Sequence, residues 1–346
     1  MNQEQPLVSV LTPCYNQSAF VCEALESIRN QTYQNIQLII IDDCSTDNSV
    51  AVIQDWIARY SVKCIFVAHS QNKGVCKTLN EALSYAKGKY ISMLAADDIW
   101  LLDKTENHVR EMEKLPEEVG VMYSDSLTID ENGNLLPNKF IESHRDFSSM
   151  PAGNIFPTLL EGNFIPAMTT LIRRQCFHQV GMYDEELSYE DYDMWLRMSH
   201  HYKFAFSPTI SAKYRIVATS LTRTVLHKPS TDNLRSSFRI FYKCLTPTKN
   251  GHAQKRFITD QLNGIAQELY RLKCKGRNVY LWKLLCCDPR PHTLGMLISS
   301  LLGISYHRFN HFVSWQAAVR RRLMRTAGNM DRVLEATSMP GSGQRP

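Results

Sequence analysis

Three pairs of adjacent acids mark the places where this chain can do chemistry: Asp42-Asp43, Asp97-Asp98 and Glu190-Asp191. Carboxylates hold hard cations, accept hydrogen bonds from ligands and take protons, but only where a fold gathers them in a crevice. The first pair ends the run Ile36-Gln37-Leu38-Ile39-Ile40-Ile41, which reads as a strand buried on both faces. The second follows Tyr90-Ile91-Ser92-Met93-Leu94-Ala95-Ala96, a shorter strand of the same kind. Ligands of open α/β sheets bind beyond the carboxyl ends of the strands, so both pairs are expected to face a binding crevice. A further strand, Leu7 to Leu11, runs into Thr12-Pro13-Cys14-Tyr15-Asn16, a turn able to lay backbone amides and small side chains along a ligand. Glu190-Asp191 crowds the start of an apolar-periodic run from Tyr189 to Met198 and fits a helix N-terminus.

The elements that must position these acids are legible in outline. Residues 7–95 read as β-α-β-α-β, with helical spacing over Cys22–Asn30, Thr46–Tyr60 and Val75–Ala86. That alternation predicts a doubly wound sheet with crossover helices. A helix from about Asp103 to Leu115, a strand from Val119 to Ser126 and a turn at Asp130-Glu131-Asn132-Gly133 follow. Residues 138–153 are expected to be polar loop, followed by a helix near Ile155–Leu160 and a strand at Met168–Arg174. Strand-like pieces at Phe204–Phe206 and Ile210–Val217 close this body near residue 220. Residues 221–346 then read as a mainly helical region with a disordered tail from Gly341.

Length allows one large domain with an appendage or two modest domains. The ten cysteines show no C-x-x-C pair, which favours reduced thiols. The polar start enters a strand at once and lacks the layout of a signal peptide, so a cytoplasmic protein is expected. Charge is unevenly spread: residues 1–220 carry 18 Lys+Arg against 28 Asp+Glu, whereas residues 221–330 carry 19 against 4. Two surfaces with different partners are expected. The apolar run Leu294–Ile304 is too short to span a bilayer, which takes about 20 residues. Together with Phe312, Trp315, Arg320, Arg321, Arg322 and Arg325 it suits an anionic lipid surface. No recognised motif supports nucleic-acid binding.

At five points the residues resemble the family 2 inverting glycosyltransferases, whose GT-A fold binds nucleotide sugars. The elements occur in order over about residues 6–220: Val8 to Asn16; Ile41-Asp42-Asp43-Cys44-Ser45-Thr46-Asp47; Asn72-Lys73-Gly74-Val75 with Asn80; Ala96-Asp97-Asp98; and Glu190-Asp191. The resemblance implies a GT-A catalytic domain over 1–220, a nucleotide-sugar donor, favoured as UDP, and a glycan or lipid-linked acceptor of the cell envelope. It places the loop of Thr12, Pro13, Tyr15 and Asn16 around base and ribose, and gives one of Asp42 and Asp43 the uracil N–H. Asp47 reads as structural and Asn80 as a fold-stabilising hydrogen-bonder.

With a diphosphate at hand, Asn72 and Gly74 allow close backbone approach, and Lys77 with the helix amides after it can lie near negative charge. Asp97 and Asp98 are the candidates for Mg²⁺ or Mn²⁺, a hard cation that offsets charge on the leaving diphosphate; Asp97 also counts among the donor-binding residues. The fuller family pattern has an acid two positions earlier, where this chain has Ala95. Asp191 is the expected base of a single in-line displacement, with Glu190 and Trp195 on the acceptor side. Arg215, Arg223 and His227 can be imagined as a lid over the diphosphate. The Q-x-x-R-W signature of processive synthases is missing, so addition of one hexosyl or N-acetylhexosaminyl unit is expected. Ala95 motivates a competing reading, a non-catalytic sugar-nucleotide scaffold. A nucleotidyltransferase would need a G-x-G-T-R loop, absent after Leu11.

Overall fold

A computed structural model describes residues 5–217, 230–245, 251–314 and 316. The main sheet comprises β1 (Val8–Cys14), β2 (Ile36–Asp42), β3 (Cys64–Ala68), β4 (Tyr90–Met93), β6 (Val119–Tyr123), β8 (Leu171–Arg173) and β9 (Lys203–Phe206). These lie in the order β3-β2-β1-β4-β8-β6-β9. All neighbours pair in parallel except at β8, which runs antiparallel to both β4 and β6. A smaller sheet sets β10 (Ala212–Arg215) between β5 (Ile99–Trp100) and β7 (Ser126–Ile129).

Apolar continuity explains the centre. Successive strand residues point to opposite faces, and in β2 Leu38, Ile39, Ile40 and Ile41 are all buried. Helices α1 (Val21–Arg29), α2 (Ser49–Tyr60) and α3 (Val75–Tyr85) are the crossovers, each with an apolar stripe inward, such as Val21, Ala24, Leu25 and Ile28 on α1. Next come α4 (Lys104–Met112), α5 (Phe140–His144), α6 (Phe156–Leu160), α7 (Gln175–Val180) and α8 (Asp191–Ser199).

Several expectations are corrected. The three helices expected over residues 7–95 form, but four strands rather than three alternate with them: the additional one, β3, is a short apolar run, Cys64-Ile65-Phe66-Val67-Ala68, that lies at the sheet edge with most residues half-buried. The expected strand Val119–Ser126 is two pieces in different sheets, and that at Met168–Arg174 begins as a 3₁₀ turn, Ala167–Thr169. Residues 138–153 are not all loop: Lys139 and Glu142 form a capping box at the start of α5.

The chain divides into two compact units, 1–258 and 259–346. Helix α9 (Thr231–Cys244), which the sequence assigns to the C-terminal region, packs on α8 within the first unit. Helix α10 is His252–Arg271, and α11 (Arg277–Cys287) and α12 (Pro291–Leu301) form a packed pair in the second unit. There Leu281, Leu284 and Met296 are fully buried, and Arg277 Nε donates to Ser300 Oγ at 2.8 Å. Among the described residues no helix is long and apolar enough to cross a membrane.

Candidate active site

Parallel pairing of β1 with β2 and β4 brings the carboxyl ends of all three strands to one edge. The loops beyond are knitted together there. Asp43 N–H donates to the Cys14 carbonyl at 2.8 Å, Ala96 N–H to that of Pro13 at 3.3 Å, and His69 N–H to that of Asp42 at 2.9 Å. In the first loop Tyr15 stands at the rim, 47% exposed. Asn16, at φ 53°, clasps the second loop: its Oδ1 accepts the Thr46 N–H at 2.7 Å. Thr12 is fully buried in β1, paired with Ile40, so its side chain lines no open surface in this form.

The first acid pair splits its duties. Asp42 is fully buried and spends both oxygens on Ser45, accepting its N–H at 2.8 Å and its hydroxyl at 2.5 Å. It is a turn former. Asp43 accepts the backbone N–H of Lys73 and of Gly74, each at 2.8 Å, and meets His69 Nδ1 at 2.8 Å. Burial raises its pKa, but those three donors outweigh it and hold the carboxyl below its ordinary value. His69 continues through Nε2 to Glu81 at 3.1 Å, and Glu81 pairs with Lys73 at 2.9 Å. Sequence reasoning missed His69; it sits just past β3, and reading that strand would have found it. Gly74 has φ +88°, a conformation other residues resist. Asn72 and Lys77 are exposed nearby, and Asn72 Nδ2 donates to the Asp43 carbonyl at 3.1 Å.

Asp97 and Asp98 also diverge. Asp98 is turned inward and accepts the Arg215 N–H at 2.9 Å, while Arg215 Nε donates to the Asp97 carbonyl at 2.9 Å. The Asp97 side chain is half-buried, and its Oδ2 takes a long bond from Gln17 Nε2 at 3.4 Å. Burial raises both carboxyls, Asp98 the further because of the Asp97 charge beside it. Arg215 is no lid: it is 2% exposed and ties down Asp130, Glu131 and Glu23 as well. Arg223 and His227 lie outside the described residues. Among the described residues no three His, Cys, Asp or Glu groups converge on a metal position. The fit to a divalent cation therefore rests on Asp97, an incompletely paired carboxylate whose burial favours gaining a positive neighbour. Mg²⁺ and Mn²⁺ sites of this sort take few protein ligands and fill the rest with phosphate and water.

Glu190 occupies the N-cap position of α8 with no capping bond from its side chain, and Asp191 is the first helical residue. Asp191 Oδ1 accepts the Tyr192 N–H at 2.7 Å and Oδ2 accepts Asn163 Nδ2 at 2.7 Å. Both acids line a cavity of about 10 Å³ with Met93 at the end of β4, Tyr183 and Trp195, room for about one water. Burial raises Asp191, and burial together with the neighbouring Asp191 charge raises Glu190 well above its ordinary value. Of the two carboxyls Asp191 therefore ionises first, and its charge makes Glu190 the slower to lose its proton. Trp195, expected on the acceptor side, is 2% exposed and walls the cavity instead, because it lies on the inward face of α8. Asn80 is the fold-stabiliser expected: it donates to the Tyr183 carbonyl at 3.0 Å and accepts the Tyr183 N–H at 2.9 Å.

Comparison with known proteins agrees with this geometry. Residues 9–179 match the profile of Glycosyl transferase family 2, which ends before α8. An uncharacterised glycosyltransferase of Rickettsia prowazekii is 30% identical over 233 residues, covering 66% of this chain and 69% of that protein. The glycosyltransferase TuaG of Bacillus subtilis, named for teichuronic acid biosynthesis, is 27% identical, covering 64% and 84%. Among solved structures, S. aureus TarS 1-349 in complex with UDP-GlcNAc superposes with a TM-score of 0.60 at 16% identity, covering 86% of this chain and 92% of that one. Mannosyltransferase PcManGT from Pyrobaculum calidifontis, with GDP-Man and Mn²⁺, gives 0.55 at 15% identity, covering 91% and 85%. With the sheet order and the gathered acids, these likenesses establish that the chain belongs to glycosyl transferase family 2 and has the GT-A fold.

Proposed function

We propose that this glycosyltransferase moves a single sugar, with inversion, from a nucleotide-sugar donor to a hydroxyl of a glycan or lipid-linked acceptor in cell-envelope or surface polysaccharide synthesis. The observation that carries the reading is that Asp191 shares a cavity with Met93, the last residue of β4, whose following loop carries Asp97. The donor lies along Tyr15, Asn72, Gly74 and Lys77, with Asp43, the less buried of its pair, reading the base N–H. A divalent cation held by Asp97, when bound, offsets negative charge on the leaving diphosphate. The acceptor hydroxyl attacks the anomeric carbon as its C–O bond to the diphosphate breaks, and Asp191 takes the hydroxyl proton. Glu190, whose proton is held more tightly than that of Asp191, limits repulsion at the base while protonated and faces the acceptor. The UDP, UDP-GlcNAc and GDP-Man complexes of TarS and PcManGT support a nucleotide-sugar donor, and TuaG supports an envelope polysaccharide.

A screen of UDP-, GDP- and dTDP-sugars by thermal unfolding with Mn²⁺ tests this directly. A ligand bound only by the folded state, at a hundred times its Kd, stabilises by about 2.7 kcal/mol, and a UDP-sugar is expected to give the largest rise in Tm. Sugar release in the same mixture separates an enzyme from the scaffold that Ala95 suggests: tight binding without turnover favours the scaffold.

The exposed apolar face of α12 in the second unit supports the further reading that this enzyme is cytoplasmic and rests on the inner leaflet. On α12 Leu294, Ile298 and Leu301 are exposed at helical spacing, with Leu302 just beyond, and no Asp or Glu occurs from residue 289 to 330. Trp315 and Arg320 to Arg325 lie outside the described residues. Each Lys or Arg near an anionic surface adds about 1 kcal/mol. Co-sedimentation is expected with anionic vesicles, to weaken as salt rises, and to fall when Arg320, Arg321 and Arg322 become Gln. Equal recovery with neutral vesicles, or none with either, rejects the attachment.

A further inference from the structure

Helix α9 lies beyond the family match, yet it grips the segment that presents the acids of α8. From Asp184 to Asp193 that segment meets one face of α9 at eight polar contacts, among them the Ser188 and Ser236 hydroxyls at 3.0 Å. Ser188 N–H donates to Ser236 Oγ at 2.9 Å, and the Ser188 hydroxyl donates to Asn233 Oδ1 at 2.8 Å. The Tyr189 and Ser237 hydroxyls meet at 2.9 Å. Arg239 pairs with Asp184 at 2.5 Å and with Glu186. Lys243 reaches Asp193 at 2.7 Å and Asp184 at 2.5 Å.

These contacts bracket the acids. Ser188 and Tyr189 directly precede Glu190, and Asp193 lies two residues past Asp191 in the first turn of α8. Asp193 is almost fully buried and also holds Arg197 at 2.8 Å. Burial raises Asp184, but Arg239 and Lys243 pull it down to about 2, so this clamp stays ionised across the physiological range. An apolar seam backs it, with Phe238, Ile240 and Phe241 buried and the Phe241 and Tyr192 rings 6.3 Å apart. Helix α9 carries none of the candidate donor, metal or base residues, so its dense polar contact with this one segment calls for a role in holding it.

We propose that α9 is a brace that positions Glu190 and Asp191 for transfer, and that Lys243, which ties the loop before the acids to the helix after them, is its principal positioning residue. The inference rests on the reading of Asp191 as the base. A displacement of about 1 Å at a reacting group can cost about a hundredfold in rate, so partial loosening acts on turnover before it acts on donor binding, whose residues lie on other loops.

The test is steady-state transfer with the full chain and a UDP-sugar donor, comparing Lys243→Met, Lys243→Arg, Ser236→Ala and Asp191→Asn, each first checked by thermal unfolding. Lys243→Met is expected to lower kcat about tenfold with donor KM within about twofold. Lys243→Arg is expected to restore most of the loss, because it keeps the charge between Asp184 and Asp193. Ser236→Ala, which removes the acceptor of the Ser188 N–H and a partner of the Ser188 hydroxyl and is expected to leave the fold intact, should lower kcat by about threefold. Unchanged kcat in a folded Lys243→Met, or a loss carried by KM alone, overturns the brace. If Lys243→Met does not fold, Ser236→Ala decides by the same criterion. Full activity in Asp191→Asn overturns the reading of the base instead, so the two failures are distinguishable.

Discussion

Asp191→Asn is expected to lower transfer at least about a hundredfold, the usual scale for losing a positioned general base, while donor affinity stays near that of the parent. The amide can still accept the Tyr192 N–H that now reaches Oδ1 at 2.7 Å, so the start of α8 is preserved and the loss is chemical. An expected pH profile accompanies this result. Burial raises the Asp191 carboxyl above its ordinary value, and a protonated base cannot take the acceptor proton. Parent kcat therefore falls as pH drops through that raised pKa, so the acid limb lies above the usual aspartate range. The limb should vanish in the variant. Asn163, which donates to Asp191 Oδ2 at 2.7 Å, favours the ionised form, so Asn163→Ala should move the limb to higher pH. A turnover number in Asp191→Asn equal to that of the parent would sink the assignment.

Asp97→Ala is expected to abolish most of the metal dependence of donor binding, with an affinity loss on the order of a hundredfold in Mn²⁺ for losing a carboxylate ligand to a divalent cation. Asp98→Ala is expected to act differently. Its carboxylate accepts the buried Arg215 N–H at 2.9 Å, and a buried donor left unsatisfied costs about 1–3 kcal/mol. Its main signature is then a lower Tm, with a smaller effect on the metal. Calorimetric titration of donor with and without Mn²⁺ separates the two. If both variants bind donor and metal like the parent, the metal reading is wrong; if Asp98→Ala loses more affinity, the two acids exchange roles.

The contrast between these neighbours shows where local sequence stops being informative. Adjacent residues at a strand end share the same apolar run, so the run announces both acids without ranking them. The ranking came from partners far along the chain. Ser45 claimed Asp42 within a single turn, whereas Asp43 closes on Lys73 and Gly74 about thirty residues on, and Asp98 on Arg215 more than a hundred on. Likewise Trp195 looks available on spacing but faces inward once α8 packs.

By itself the sequence determined the strands that are buried on both faces and the acids placed just after them, because continuous burial demands an unbroken apolar run. It also determined the helix start at Glu190-Asp191, since acids gather at the positive end of a helix. Packing alone settled the antiparallel insertion of β8, the pairing of His69 with Asp43, the inward turn of Asp98 and the grip of α9 on the segment before α8. Each of these depends on pairing between distant segments, where burial and hydrogen-bond satisfaction are settled together and no short window of residues carries the signal.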